Sequence, residues 1–452
     1  MQFHLLKEVE EEVTHFLSDL IRIDTTNPPG NETEAAKYVA ECLSRDGFKC
    51  ELCGPAPGRD SITTCPKGTG EKPSLLLLSH LDVVAANAKE WSVDPFGGIV
   101  KDGFVWGRGA IDMKSMTAIE VMVMKLLKRN KVKLKGTVML AATADEEQGG
   151  LSGAGYLLRN YPEMIRADYV LNEGGGLALP VRGKNVYTVQ TAEKGILWFR
   201  VKARGTPGHG SMPNAADNSI MRMNEVITKL GNYSSEVLLV PTVKRFLSEI
   251  AKEDARLQGS FSRLLANPEL SDEVLDELDG VAKPLADEIW PRIRMTVTPT
   301  MIQGGVKENV IPSECETVFD CRILPGQNTA ETFQLIRKLL EDVGLDRLAF
   351  ETIQANEPSE SPVETPLYEV IASVLREFEP DCGVTPTMAT GGTDSRFFRK
   401  MGSICYGFHP MQPEVQYDKM VKRIHGIDEC ISIENLVFGA SVLYEVVKRF
   451  MS

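Results

Sequence analysis

The sequence predicts an α/β protein in two parts: a layered sheet flanked by helices, and a second subdomain inserted into it. Three observations predict this. Short apolar strands alternate with amphipathic helices in the first part of the chain. Clusters of polar residues follow the carboxyl ends of those strands, where open α/β sheets place their ligand sites. From about Lys194 the pattern changes to the alternation of a half-exposed strand. The 452 residues suit two domains, or one domain with a large insertion, better than a single core.

Taken in order, a helix carrying His4 and His15 runs through Leu20. The Asn27-Pro28-Pro29-Gly30 run breaks the chain, and a helix over about 32–44 follows. Pro73 precedes a buried strand over 74–79. A helix over 113–129 leads to a strand over 137–143, and a third strand covers 169–172. Lys89, Trp91 and Asp94 belong to a loop whose residue types fix no role. After Lys194, ILWFRVKAR reads as a strand that ends in a turn over 205–210. The acidic stretch over 240–290 carries Leu, Phe and Ile at helical spacing and reads as packing helices. Strands resume over 294–300 and 317–323. Helix and strand alternation returns from about Pro362 and closes with an amphipathic helix over 433–450. There is no internal repeat.

A net charge of -13 argues against a nucleic-acid partner, since phosphate binding needs clustered Lys and Arg. The N-terminal segment lacks the apolar core of a signal peptide, and no apolar run approaches the roughly 20 residues of a bilayer span. The expectation is a cytoplasmic protein without a membrane anchor that acts on a small molecule. Nine scattered cysteines, an odd number, suit a reducing compartment. Cys50 and Cys53 form a CxxC with no second pair at zinc-ribbon spacing.

The chemistry lies at the strand ends. LLLLSHLDVV ends a buried strand on His80, with Asp82 two residues on: either a ligand with its orienter, or a hydrogen-bonded strand end. GRGAIDMKSM places Asp112 where a loop enters a helix, as a functional carboxylate or an N-cap. MLAATADEEQGG empties a strand into Asp145, Glu146 and Glu147, whose mutual repulsion calls for a cation unless the turn is solvated. YVLNEGGG repeats the design with Glu173, and IHGIDE presents His425, which alone reads as structural as readily as catalytic. Together these imidazoles and carboxylates are the donor set of zinc or a similar first-row metal. If Asp112 bridges two divalent ions, with His80 and Glu173 on one and Glu147 and His425 on the other, three carboxylates and one hydroxide balance the charge. His409 has no such partner pattern and, like His4 and His15, reads as structural.

In sequence order, SHLDVV, GRGAIDMK, DEEQGG, NEGG and HGIDE resemble the zinc metallopeptidases that include aminoacylase, acetylornithine deacetylase, succinyl-diaminopimelate desuccinylase and carboxypeptidase S. The resemblance implies a mixed-sheet α/β/α zinc-hydrolase catalytic domain over 1–194 and 358–452. It also implies an inserted α+β, ferredoxin-like lid and dimerisation domain over 195–357. It implies the ligand assignment above, with Asp82 orienting His80 and Glu146 as catalytic base. TPGHGSMP, GGVKENVIP and DCRILPG extend it to the lid. There His209 would polarise the scissile carbonyl across a homodimer, while Asn309 and Arg322 would hold the substrate carboxylate. ATGGTDSR resembles the glycine turn lining the pocket, through Gly391 and Gly392.

The implied activity is hydrolysis of an amide by metal-activated water, with two divalent ions, zinc first and cobalt or manganese as alternatives. Glu173 in place of Asp, and the 240–290 insertion, resemble the deacylase and carboxypeptidase S members. N-acyl amino acids or small peptides with a free carboxylate are therefore the expected substrates. A di- or tripeptidase is the neighbouring alternative, and a non-catalytic metal- or peptide-binding protein the alternative of another class.

Overall fold

The computed structural model describes residues 5–414 and 417–452, so His4 lies outside the described residues. Its centre is a ten-stranded mixed sheet. The main path runs Cys50–Cys53, Ser61–Thr64, Val138–Thr143, Leu75–His80, Tyr169–Asn172, Ile404–Gly407, Lys184–Glu193 and Ser359–Glu360. Gly383–Ala389 and Ala178–Val181 also pair with Lys184–Glu193. Leu75–His80 runs parallel to both Val138–Thr143 and Tyr169–Asn172, so three carboxyl ends open on one edge.

Helices cover both faces, which explains why the strands read as unbroken apolar runs. Leu75 and Leu77 join the core built with the Leu5–Arg22, Thr33–Arg45, Lys114–Arg129, Pro366–Phe378 and Ile433–Met451 helices. Leu76 and Leu78 face the opposite layer, against Leu157, Ile165 and Phe398. Each of these fully buried leucines contributes about 1.5–3 kcal/mol relative to an exposed one.

The chain leaves this sheet after Glu193 and rejoins it at Ser359. Between them, Gly195–Arg204, Ser219–Gly231, Thr296–Gly304, Glu314–Ile323, Thr329–Leu339 and Leu348–Asn356 follow one another as βαββαβ. The four strands pair antiparallel in the order second, third, first, fourth, which is the ferredoxin-like arrangement. Met223, Val226, Leu230 and Ile336 pack the two helices on Leu197, Phe199 and Phe319 of one sheet face.

The acidic 240–290 stretch forms three helices, Pro241–Glu253, Ala255–Ala266 and Ser271–Ile293. Their buried Val243, Phe246 and Leu247 share a core with Val186, Ala192 and Met388 of the large sheet. No helix among the described residues is long and apolar enough to cross a membrane.

Candidate metal centre

The three parallel strands deliver the acidic and imidazole groups to one edge. His80 is the last residue of its strand, and a single 3-10 turn, Glu146–Gln148, follows Val138–Thr143. Glu173 follows Tyr169–Asn172 directly. Gly174, Gly175 and Gly176 after it all have φ between 59° and 80°, so the chain reverses sharply behind the carboxylate. Asp112 sits at the mouth of the Lys114–Arg129 helix, and His425 precedes the Cys430–Ser432 strand.

These side chains converge in two groups that share Asp112. His80, Asp112 and Glu173 offer ligand atoms all within 4.8 Å of one another, as do Asp112, Glu147 and His425. Asp112 Oδ1 lies 3.1 Å from His80 Nε2, and Asp112 Oδ2 lies 3.1 Å from His425 Nε2. Glu173 Oε2 is 3.7 Å from His80 Nε2, and Glu147 Oε1 is 3.1 Å from His425 Nε2. One carboxylate thus turns an oxygen to each imidazole. That is the disposition a bridging ligand needs, and nitrogen and oxygen donors in this proportion suit zinc and its first-row neighbours.

The electrostatics point the same way. Burial alone would lower the His80 imidazole, but Asp112, Asp82 and Glu173 outweigh it and hold it well above its ordinary value. Asp112 and Glu147 raise His425 to about 10. Burial raises Asp112, but His425 and His80 more than reverse that and bring it below the usual carboxylate range. The cluster therefore demands positive charge at its centre.

Asp82 is fully buried and does more than stand behind His80. His80 Nδ1 is 2.9 Å from the Asp82 backbone oxygen and 3.5 Å from its carboxylate. The carboxylate accepts from the backbone N–H groups of Glu146 and Glu147, each at 3.1 Å, and from Asn27 Nδ2 at 2.9 Å. Burial pushes this acid up, yet the hydrogen bonds from His80, Asn27 and Glu147 hold it below its ordinary value. Asp82 therefore fixes the turn that carries Glu146 and Glu147. The Glu146 carboxylate has no hydrogen-bond partner among the described residues. Burial, then the charge of Glu173, raise its affinity for a proton well above that of an ordinary glutamate.

The remaining sequence-predicted residues fall outside this cluster. His209 and Asn309 come together in a two-stranded ribbon, with His209 paired to Val310 and Gly210 N–H donating to Asn309 O at 2.8 Å. His209 is exposed, and its Nδ1 accepts from the Ser211 backbone N–H at 3.2 Å and lies 2.8 Å from Ser211 Oγ. A backbone donor on Nδ1 leaves the proton on Nε2. Arg322 pairs with Asp320 at 2.6 Å and lies over Trp198, and a methyl group on Gly391 would stand 3.9 Å from its guanidinium. Arg322 of the predicted carboxylate clamp and the Gly391–Gly392 turn are thus neighbours, whereas Asn309 stays with His209 on the ribbon. His409 is buried and, through that burial, lowered to about 4; His15 is exposed on the first helix.

Four residues here escape sequence reading. Asp394 is buried, accepts from Thr143 Oγ1 at 3.2 Å, and is raised by burial to about 7, with Arg396 opposing and Glu173 adding to the shift. Arg59 ties Asp145 to Glu32 beside Asn27. Arg108 and Glu429 are paired in the interior between the Asp112 and His425 loops. Asp394, Arg108 and Glu429 lie inside the motifs ATGGTDSR, GRGAIDMK and HGIDE, which is the one signal that could have found them.

A family model described as peptidase family M20/M25/M40 matches residues 76–449. The N-fatty-acyl-amino acid synthase/hydrolase PM20D1 of Homo sapiens is 28% identical over 393 residues, covering 84% of this chain and 75% of that protein. Aminoacylase-1 of Sus scrofa is 26% identical over 412 residues, covering 90% and 88%. Among solved structures, the M20 family metallo-carboxypeptidase Sso-CP2 from Sulfolobus solfataricus superposes with a TM-score of 0.74 at 19% identity, covering 97% of this chain and 99% of that one.

Proposed function

The chain belongs to peptidase family M20/M25/M40 and is a hydrolase, and from that premise we propose that it cleaves the amide bond of N-acyl amino acids or small peptides bearing a free carboxylate. The observation that carries the reading is the Asp112 carboxylate, with one oxygen toward His80 and the other toward His425. His80, Asp112 and Glu173 would hold one divalent ion, and Asp112, Glu147 and His425 a second. Zinc is the leading candidate, and cobalt or manganese suits the same donors. When bound, the ions supply the Lewis acidity that brings the pKa of water toward neutrality.

The chain's own residues do the rest. Glu146 takes the proton of the attacking water on its carboxylate and returns it to the leaving nitrogen. Its carboxylate oxygens, which accept no hydrogen bond among the described residues, support that role. His209, with its proton on Nε2, donates to the carbonyl oxygen as charge develops there. Asn309 and Arg322 hold the substrate carboxylate, beside the turn of Gly391 and Gly392, and Arg322 exchanges Asp320 for it.

His209 sits exposed on the ribbon, next to Met212 at 60% exposure, with Met301, Ile302 and Val306 of the same excursion also exposed. This apolar surface supports a homodimer in which the His209 of one subunit completes the site of its partner. In this reading 1–194 and 358–452 form the catalytic unit and 195–357 the lid. The nine cysteines, all free thiols, suit a cytoplasmic location.

Glu146→Gln tests the assignment. The variant should bind metal like the wild type and hydrolyse N-acyl amino acids and dipeptides at least about 100-fold more slowly. Near-normal turnover would rule out Glu146 as the base.

A further inference from the structure

We infer that Arg108 and Glu429 are positioning residues for metal binding, a single buried ion pair that presets Asp112 and His425 together. The inference rests on the reading of those two residues as ligands. Arg108 is 3% exposed and Glu429 fully buried, and Arg108 Nη1 lies 2.6 Å from Glu429 Oε2.

Every polar atom of the Glu429 carboxylate is spent on the Asp112 loop. Oε1 accepts from the backbone N–H groups of Ile111 at 2.6 Å and Asp112 at 2.9 Å. Oε2 accepts from Gly109 N–H at 3.2 Å as well as from Arg108. The carboxylate is a template around which residues 109–112 fold, and it fixes the peptide of the shared ligand itself. A buried charge with three backbone donors and one guanidinium is strongly oriented.

Arg108 carries the constraint across to the other loop. Its Nη2 donates to His425 O at 3.2 Å and to Gly426 O at 3.0 Å. His425 has φ 56° and Asp428 φ 57°, left-handed conformations that a residue with a Cβ adopts only when its surroundings hold it there. The guanidinium grips the carbonyl of His425, one of these two residues. Trp91 covers the guanidinium, with its ring centre 5.2 Å away, and Ser92 N–H donates to Asp428 at 2.8 Å. The loop after Asn87, to which composition assigned no role, therefore closes the same assembly.

Residues behind a metal ligand typically govern metal affinity by 10–100-fold. The connections here divide that effect. Arg108 reaches the backbone of His425, a ligand of one ion, whereas Glu429 sets Asp112, the ligand of both.

The test uses the full chain loaded with cobalt(II), its affinity for each ion read by competition with a chelator and its coordination by visible absorption. The variants are Arg108→Lys and Glu429→Gln. Lysine keeps the charge but presents donors from one nitrogen, which cannot span Glu429 and two carbonyls. Lys125→Met, which removes a buried amine paired with the partly exposed carboxylates of Glu12 and Asp46 on the helical layer, serves as a control for stability alone. Arg108→Lys should weaken one ion by about 10–100-fold and change the cobalt spectrum, and Glu429→Gln should weaken both. Lys125→Met should lower the melting temperature and leave both affinities alone.

The positioning role is overturned if Arg108→Lys holds both ions within about threefold of wild type with an unchanged spectrum, or if Lys125→Met weakens them equally. Should Glu429→Gln fail to fold, Arg108→Lys decides. A wild-type chain that binds no metal overturns the functional reading instead, before any variant is compared.

Discussion

Replacing Asp82 by Asn separates a residue that merely backs His80 from one that builds the catalytic turn. The side chain keeps its shape and loses its charge. Oδ1 accepts from Glu146 N–H, and Oδ2 accepts from Glu147 N–H and Asn27 Nδ2, so both oxygens face donors. Whichever way the amide is turned, its NH₂ meets at least one N–H. A buried donor left without an acceptor costs about 1–3 kcal/mol, and the surviving bonds lose their charge-assisted part, for a total of about 2–4 kcal/mol. The same displacement moves Glu146, and a shift of about 1 Å in a reacting group costs roughly 100-fold in rate. Urea denaturation gives the first quantity and steady-state kcat on an N-acyl amino acid the second. A variant within about 0.5 kcal/mol of wild type, with kcat within about twofold, would refute the assignment of Asp82 to the turn.

Three further outcomes are expected. Mixing inactive Glu146→Gln and His209→Ala chains under subunit exchange should restore about a quarter of wild-type activity, because half the dimers are mixed and each has one intact site; no recovery would place His209 in its own subunit's site or outside catalysis. Arg322→Met should raise KM for carboxylate-bearing substrates by about 10–100-fold, the worth of a charge-assisted pair, while leaving carboxyl-amidated analogues unchanged, as measured by initial rates; an equal loss on both would deny the clamp. Lys194 donates to Pro291 O and Arg294 O from the interior, and burial lowers it to about 7. The unfolded chain holds this proton up to about pH 10, so its contribution to stability falls as the pH drops from about 10 toward 7, and Lys194→Met should flatten that slope in denaturation curves. A slope unchanged by the substitution would show that Lys194 is charged in the fold.

The central strands were legible because burial on both faces leaves a plain record: LLLLSH and VMLAAT have no polar face, and each empties into functional groups. His80, Asp112, Glu147, Glu173 and His425 were each ambiguous alone and became legible as an ordered set. The helices over 240–290 were visible from their spacing, but an amphipathic face says only that something covers it. That the cover is Val186, Ala192 and Met388 of the large sheet follows from long-range pairing that no local pattern encodes. Arg108 and Glu429 were hidden for a related reason. A lone Arg and a lone Glu, more than three hundred residues apart, read as two surface charges until the fold buries them against each other. The short strands at Ile99–Lys101 and Phe104–Trp106 likewise take their meaning from the partner strand at Cys430–Ser432.

The most direct test of the shared-carboxylate site is metal content by plasma mass spectrometry, after zinc loading and desalting, for the wild-type chain, His425→Ala and Asp112→Ala. Two ions per chain in the wild type, one in His425→Ala and none in Asp112→Ala are the predicted result. An Asp112→Ala chain that keeps both ions would contradict the bridging role of Asp112 and, with it, the dinuclear centre proposed here.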